Sequence, residues 1–163
     1  QKPGGKKLFI DADNFPHLET AIRIAVRLGI DCVAAGNQTQ NLGRLDGMEG
    51  VEIIEVSDGM DAADFAIINH MSPGDLVLTG DTGLAALVLG KGGLAINARG
   101  VPYSEESMNV RLLIRHLAKK IRRSGGKTRG FKKISHLDRE RFAEKLKSLL
   151  KEKKLPLKDK KEP

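Results

Sequence analysis

The order of apolar runs along the chain predicts an α/β protein. The expected fold is a three-layer α/β/α sandwich on a mostly parallel sheet of about five strands, with further helices at the C-terminal end. Two observations carry this. Near-continuous apolar runs (LFIDA, DCVAA, VEIIEV, DLVLTG, GLAINARG) read as strands buried on both faces. Stretches with apolar residues at helical spacing fall between most of them, giving a βαββαβαβ order. At 163 residues the chain is long enough to bury a real core as one domain.

LFIDA is the first strand. Pro16 suits the first turn of a helix, along which Leu18, Ile22, Ala25 and Val26 recur, and Gly29 closes it. DCVAA is the second strand, and the turn-rich, polar residues 36–50 lead to the third, VEIIEV. MDAADFAIINHM reads as a helix, and DLVLTG follows the Pro73–Gly74 turn as the fourth strand. DTGLAALVLGKG is a short helix and GLAINARG the fifth strand. Ser104 is a candidate N-cap with Glu105 and Glu106 in the first turn, and Val110, Leu113, Leu117 and Ile121 mark the apolar stripe of the helix it opens. These elements assign residues 6–123 to the main domain and 124–134 to a linker. Residues 135–150 form a last helix, with Ser135 and Asp138 as its capping box and Phe142, Leu146, Leu149 and Leu150 as the stripe that docks on the domain. Residues 151–163 read as a disordered basic tail.

Composition excludes several classes. No run of about 18 apolar residues occurs, so no membrane span is expected. The N-terminus lacks the basic-then-apolar pattern of a signal peptide. The single cysteine, Cys32, excludes a disulfide scaffold and a cysteine-based zinc site, and a cytoplasmic setting is expected. The four histidines show no zinc-site spacing, and the GKGG of residues 90–93 is not a P-loop. The formal net charge of +7 is unevenly placed. Residues 1–106 hold 8 Lys/Arg against 15 Asp/Glu, a net of −7, whereas residues 107–163 hold 20 against 6, a net of +14. Such asymmetry points to an anionic partner for the second part, nucleic acid first.

In open parallel sheets ligands bind at the carboxyl ends of the strands. Here those ends carry Asp11 and Asp13, then Asn37 and Gln38, then Asp58 with Asp61 and Asp64 beyond it, then Thr79–Gly80–Asp81, then Asn97 and Arg99. Asp11 and Asp13 are two apart on a strand, and Asp61 and Asp64 three apart on a helix, so each pair can share a face. Gathered carboxylates repel unless something neutralises them. Hard divalent cations do so, and Mg²⁺ or Mn²⁺ among carboxylates serves phosphoryl chemistry. Complementing a helix dipole, for Asp61 and Asp64, or capping a helix, for Asp58 or Ser57 and for Asp81, is the structural alternative for those residues. D-A-D-N-F is similar at first sight to the nucleophile pair of haloacid-dehalogenase phosphatases. Phe15 stands where that signature has Thr or Val, and no Ser/Thr–Lys continuation follows.

IDADNFP, GNQ, DGMDAADFAI, PGDLVLTGDTGLAA, INARG and SHLDRERFAEKL together resemble the YaiI/YqxD family of bacterial proteins over about residues 6–150. That largely uncharacterised family is placed in the PIN-like nuclease superfamily. The resemblance implies a PIN-like domain that cuts phosphodiesters with Mg²⁺ or Mn²⁺. Asp11, Asp61 and Asp81 match the first, third and last acids of the PIN-like pattern and would be catalytic metal ligands, with Asp13 and Asp64 as further ligands. The second acid of the pattern has no counterpart: Asn37 and Gln38 stand in the region where it is sought, and Glu19 sits on the first helix instead. Asn14, Asn37 and Arg99 are expected to orient substrate. Arg111, Arg115, Lys119, Arg122 and Arg123 form a basic arm for the phosphate backbone, RNA before DNA. The alternatives are a non-catalytic nucleic-acid-binding module and a small metal-dependent phosphohydrolase.

Overall fold

The computed structural model describes residues 6–37, 47–56, 62–106, 108, 109 and 134–152. Five strands form one sheet: β1 (Leu8–Asp11), β2 (Cys32–Gly36), β3 (Val51–Glu55), β4 (Leu76–Leu78) and β5 (Leu94–Ile96). Their spatial order is β3-β2-β1-β4-β5, and every pairing is parallel. The helices are α1 (Leu18–Leu28), α2 (Ala62–His70), α3 (Thr82–Gly90) and α4 (His136–Lys151). This is the predicted α/β architecture with helices on both faces of a parallel sheet.

Alternation along the strands divides the core in two. Leu8, Ile10, Cys32, Ala34, Leu76, Leu78 and Ile96 pack with Ala21, Ile22 and Ala25 of α1 and with Phe142, Leu146, Leu149 and Leu150 of α4. Phe9, Val33, Ala35, Val77 and Ala95 face the other way, against Ile67 of α2 and Leu84, Ala85 and Val88 of α3. Strands buried on both sides need apolar residues at every position, which is why the runs read as near-continuous. β3 lies at one edge, and its exposed Glu52 and Glu55 blunt that edge against further strand pairing.

Local signals place the helix ends. Gly29 closes α1 in the left-handed conformation at φ 74°, its N–H reaching the Ala25 and Val26 carbonyls. Ser135 and Asp138 make the predicted capping box at the start of α4. Lys6 caps the other end of α4, its Nζ donating to the carbonyls of Leu149, at 3.0 Å, and Glu152. Pro16 departs from expectation. It precedes α1 instead of lying in its first turn, because a 3-10 turn over Ala12–Asn14 must first lead the chain off the strand end. Glu105, Glu106, Met108 and Asn109 are helical, as expected after Ser104. The rest of that predicted helix, the linker to residue 133 and the tail beyond 152 lie outside the described residues.

Each fully buried apolar side chain of α4 contributes about 1.5–3 kcal/mol. The helix start depends on its cap. Ser135→Ala is expected to cost about 1 kcal/mol and to lower the midpoint of thermal unfolding by roughly 2–4 °C, read by circular dichroism.

Candidate functional site

The strand order reverses between β1 and β4. α1 leaves β1 over one face of the sheet and α3 leaves β4 over the other, so the chain diverges at their carboxyl ends, where open α/β sheets bind ligands. Asp11 is the last residue of β1 and is 0% exposed. A buried carboxylate needs donors, and two side chains supply them. The Thr79 hydroxyl donates to Asp11 Oδ2 at 2.7 Å, and the Asn14 amide lies 3.2 Å from Oδ2 and 3.4 Å from Oδ1. The Thr79 oxygen in turn accepts the Asp81 N–H at 2.9 Å. Its own carbonyl takes the hydroxyl of buried Tyr103 at 3.0 Å. Thr79 thereby joins the two acid-bearing strand ends.

The other groups of the rim are held by backbone. Asp13 Oδ2 accepts the Asn37 N–H at 2.8 Å, which ties the turn after β1 to the end of β2. The Asn14 carbonyl accepts the Gly80 N–H at 2.9 Å and ties the same turn to the end of β4. Both approaches need glycine: a Cβ on Gly36 would sit 2.9 Å from Ala12 Cβ and Asp13 Oδ1, and one on Gly80 would sit 2.9 Å from the Asn14 carbonyl oxygen. Asp81 caps α3, its Oδ1 accepting from the N–H groups of Gly83 at 2.8 Å and Leu84 at 3.3 Å. Capping and gathering at the rim are therefore compatible in this residue.

Burial pushes the Asp11 carboxyl above the usual carboxylate range. The charges of Asp81 and Asp13 add to that push, against the hydrogen bonds from Thr79 and Asn14. The three acids are thus electrostatically coupled. Among the described residues, no group of three or more His, Cys, Asp or Glu side chains is arranged to hold a metal ion.

Of the residues singled out by sequence, Asp11, Asp13, Asn14 and Asp81 meet at this rim, with Asn37 joining through its backbone. Asp64 lies half-buried in the first turn of α2, which packs on β1 and β2. The Arg99 Nε is 3.6 Å from Asp138 Oδ2, at the start of α4. Glu19 pairs with Arg23 along α1 at 3.2 Å. Asn97 shapes the turn after β5, its Oδ1 accepting from the Arg99 N–H at 2.9 Å and the Val101 N–H at 3.0 Å. Asp58, Asp61, Gln38, Arg111, Arg115, Lys119, Arg122 and Arg123 lie outside the described residues. Thr79 stood among the strand-end residues without a role of its own, and Tyr103 was not singled out. The T-G-D-T-G of residues 79–83 carried the only sequence signal for Thr79, and none marked Tyr103.

A sequence model of the uncharacterised bacterial YaiI/YqxD family matches residues 9–152. The chain is 39% identical over 145 residues to a UPF0178 protein of Enterococcus faecalis, covering 89% of this chain and 97% of that one. It is 39% identical over 146 residues to a UPF0178 protein of Vibrio cholerae, covering 88% and 96%. To a UPF0178 protein of Exiguobacterium sibiricum it is 37% identical over 147 residues, covering 90% and 98%. No solved structure matches the chain.

Asp11 sets a stability cost with a definite sign. Its folded carboxyl holds a proton more tightly than an unfolded aspartate, so ionising it opposes folding. The stability this group contributes is full below about pH 4 and is lost as pH rises through the raised folded value. Asp11→Asn keeps an acceptor for Thr79 and removes the charge. The metal-free variant is expected to melt above wild type at neutral pH, with the difference shrinking on acidification. Gly80→Ala is expected to lose about 1–3 kcal/mol by overpacking against Asn14, measured by urea unfolding.

Proposed function

The chain belongs to the uncharacterised YaiI/YqxD family, and from that premise we propose that it is a metal-dependent phosphodiester hydrolase acting on nucleic acid, RNA before DNA. One observation carries the reading: a fully buried carboxylate, Asp11, at the switch point of a parallel sheet, with the charges of Asp13 and Asp81 acting on it. Packing does not require such a group, and a core gains stability by lacking it. A divalent cation gives it a reason. The donor set suits Mg²⁺ or Mn²⁺, since it is all carboxylate and no soft ligand is present at the rim. Asp11 and Asp81 would hold the ion, with Asp13 and Asp64 contributing directly or through water, and Asp61 assigned from sequence alone.

A bound ion would supply an activated water and neutralise charge on the phosphoryl group. The chain's own residues do the rest. Thr79 and Asn14 fix the orientation of the Asp11 carboxylate. Asp81 commits Oδ1 to the α3 N-terminus, which fixes the direction in which Oδ2 is presented. Arg111, Arg115, Lys119, Arg122 and Arg123 would hold the phosphate backbone without reading sequence. Arg99 is not included in this role, because Asp138 engages it. A second reading, a non-catalytic nucleic-acid-binding module, is favoured by the want of a three-ligand group among the described residues.

Cleavage of RNA that requires Mn²⁺ or Mg²⁺ is expected. Asp11→Asn should reduce it more than about 100-fold, beyond the ~10–100-fold that loss of a supporting residue such as Thr79, in Thr79→Val, typically brings. Turnover at the wild-type rate in Asp11→Asn would remove the proposed site. Salt-sensitive RNA binding without turnover at any divalent ion would favour the binding module.

A further inference from the structure

The turn that carries Asp11, Asp13 and Asn14 ends in Phe15, and two residues later His17 lies only 5% exposed. The His17 ring is edge-on to Phe15, with centroids 5.8 Å apart at 90°, and stacked on Phe142 of α4 at 5.1 Å and 29°. Phe15 and Phe142 also meet directly, at 5.1 Å and 63°. Nε2 lies 3.0 Å from the Ala98 carbonyl oxygen. A carbonyl only accepts, so Nε2 carries the hydrogen and Nδ1 of the neutral ring does not. His17 therefore touches three segments at once: the turn after β1, the turn after β5, and α4. Gly100 brings the second of these against the α4 backbone, where a Cβ would meet Arg141 O at 3.0 Å.

We propose that His17 is a positioning residue for the acid rim, holding the Asp11–Phe15 turn against α4 while its imidazole is neutral and releasing it when protonated. A second ring proton would put a full charge in an aromatic clasp that is nearly closed to water. The charged groups that face the ring among the described residues are Asp138 and Arg139, both of α4. Asp138 favours the charged ring but already shares its carboxylate with Arg99. Arg139 disfavours it. The Phe142 face offers some cation–π attraction, and the Ala98 carbonyl favours the proton, yet burial outweighs these and sets His17 below the ordinary histidine range.

Release would reach the rim through two bonds. Phe15 follows Asn14, whose amide lies against Asp11 and whose carbonyl holds the Gly80 N–H. A turn freed from α4 would lose the fixed placement of Asn14 and so of the Asp11 and Asp81 carboxylates. The effect on metal binding rests on the proposed function. The tie itself does not, so it is tested on the metal-free full chain, and its outcome stands whether or not RNA is cleaved.

The test follows histidine ring resonances and backbone amides by NMR from about pH 8 to pH 5. His17 is expected to titrate below the ordinary value of about 6.5. The Gly80 and Asn37 amides, which donate to Asn14 and Asp13, are expected to shift with the same midpoint. In His17→Phe that component of the amide shifts should vanish, leaving only movement from the carboxylates. The inference is overturned if the component persists in His17→Phe, if His17 titrates without moving either amide, or if it stays neutral to the end of the range. Should His17→Phe not fold, Phe142→Leu opens the clasp and retains His17. Its midpoint should then rise towards the ordinary value, and an unmoved midpoint overturns the inference equally.

Discussion

The Thr79–Asp11 hydrogen bond is the contact on which the rest of the rim depends. It joins residues 68 apart in sequence at 2.7 Å and makes the ends of β1 and β4 one unit. A carboxylate buried at the end of a parallel strand would otherwise be a defect. Here one hydroxyl both supplies a donor to Asp11 and takes the N–H that places Asp81. The close approaches at Gly36 and Gly80 follow from the same arrangement, since the turn after β1 must lie against both neighbouring strand ends for its side chains to reach. The residue types at these positions are set by the site's geometry more than by the demands of a strand or a helix.

What was legible in the sequence was local. Five strands, the closing Gly29, the capping box of Ser135 and Asp138 and the buried stripe of α4 all follow from periodicity and from residues within one turn of each other. The gathering of Asp11, Asp13 and Asp81 was also readable, because a parallel sheet delivers its strand ends to one side. Pairings between distant segments were not legible. Arg99 belongs to Asp138 because α4 folds back over the turn after β5, and no spacing along the chain announces that. The importance of Tyr103 escaped for the same reason: its hydroxyl matters only because the Thr79 carbonyl happens to lie opposite. In packing terms His17 is a satisfied buried histidine. Its place between two turns and a helix is a property of the assembled fold.

The two faces of the sheet serve the rim differently. On the α2 and α3 face, α3 begins at the rim with Asp81 as its cap. On the α1 and α4 face, the C-terminal helix is anchored at both ends, by Ser135 and Asp138 at its start and by Lys6 on its last carbonyls. A helix reached only after the whole sheet is built thus braces the first turn of the chain through Phe142. This long-range bracing explains why the acid turn needs an aromatic residue directly after Asn14, where a solvent-facing turn would carry a polar one.

Charge sets the last constraint. Residues 1–106 carry a net of −7 and residues 107–163 a net of +14, so a nucleic acid that the second part attracted, as proposed, would meet the acids of the first. On the proposed reading, the two requirements oppose each other until a cation enters the rim. Without it, the acids would repel phosphate, and burial already favours the protonated form of Asp11. With it, positive charge would offset the carboxylates, and a phosphate held by the proposed basic arm could approach them. Binding of metal and binding of substrate would then support each other by simple electrostatics, with the buried position of Asp11 strengthening the coupling because little water screens it.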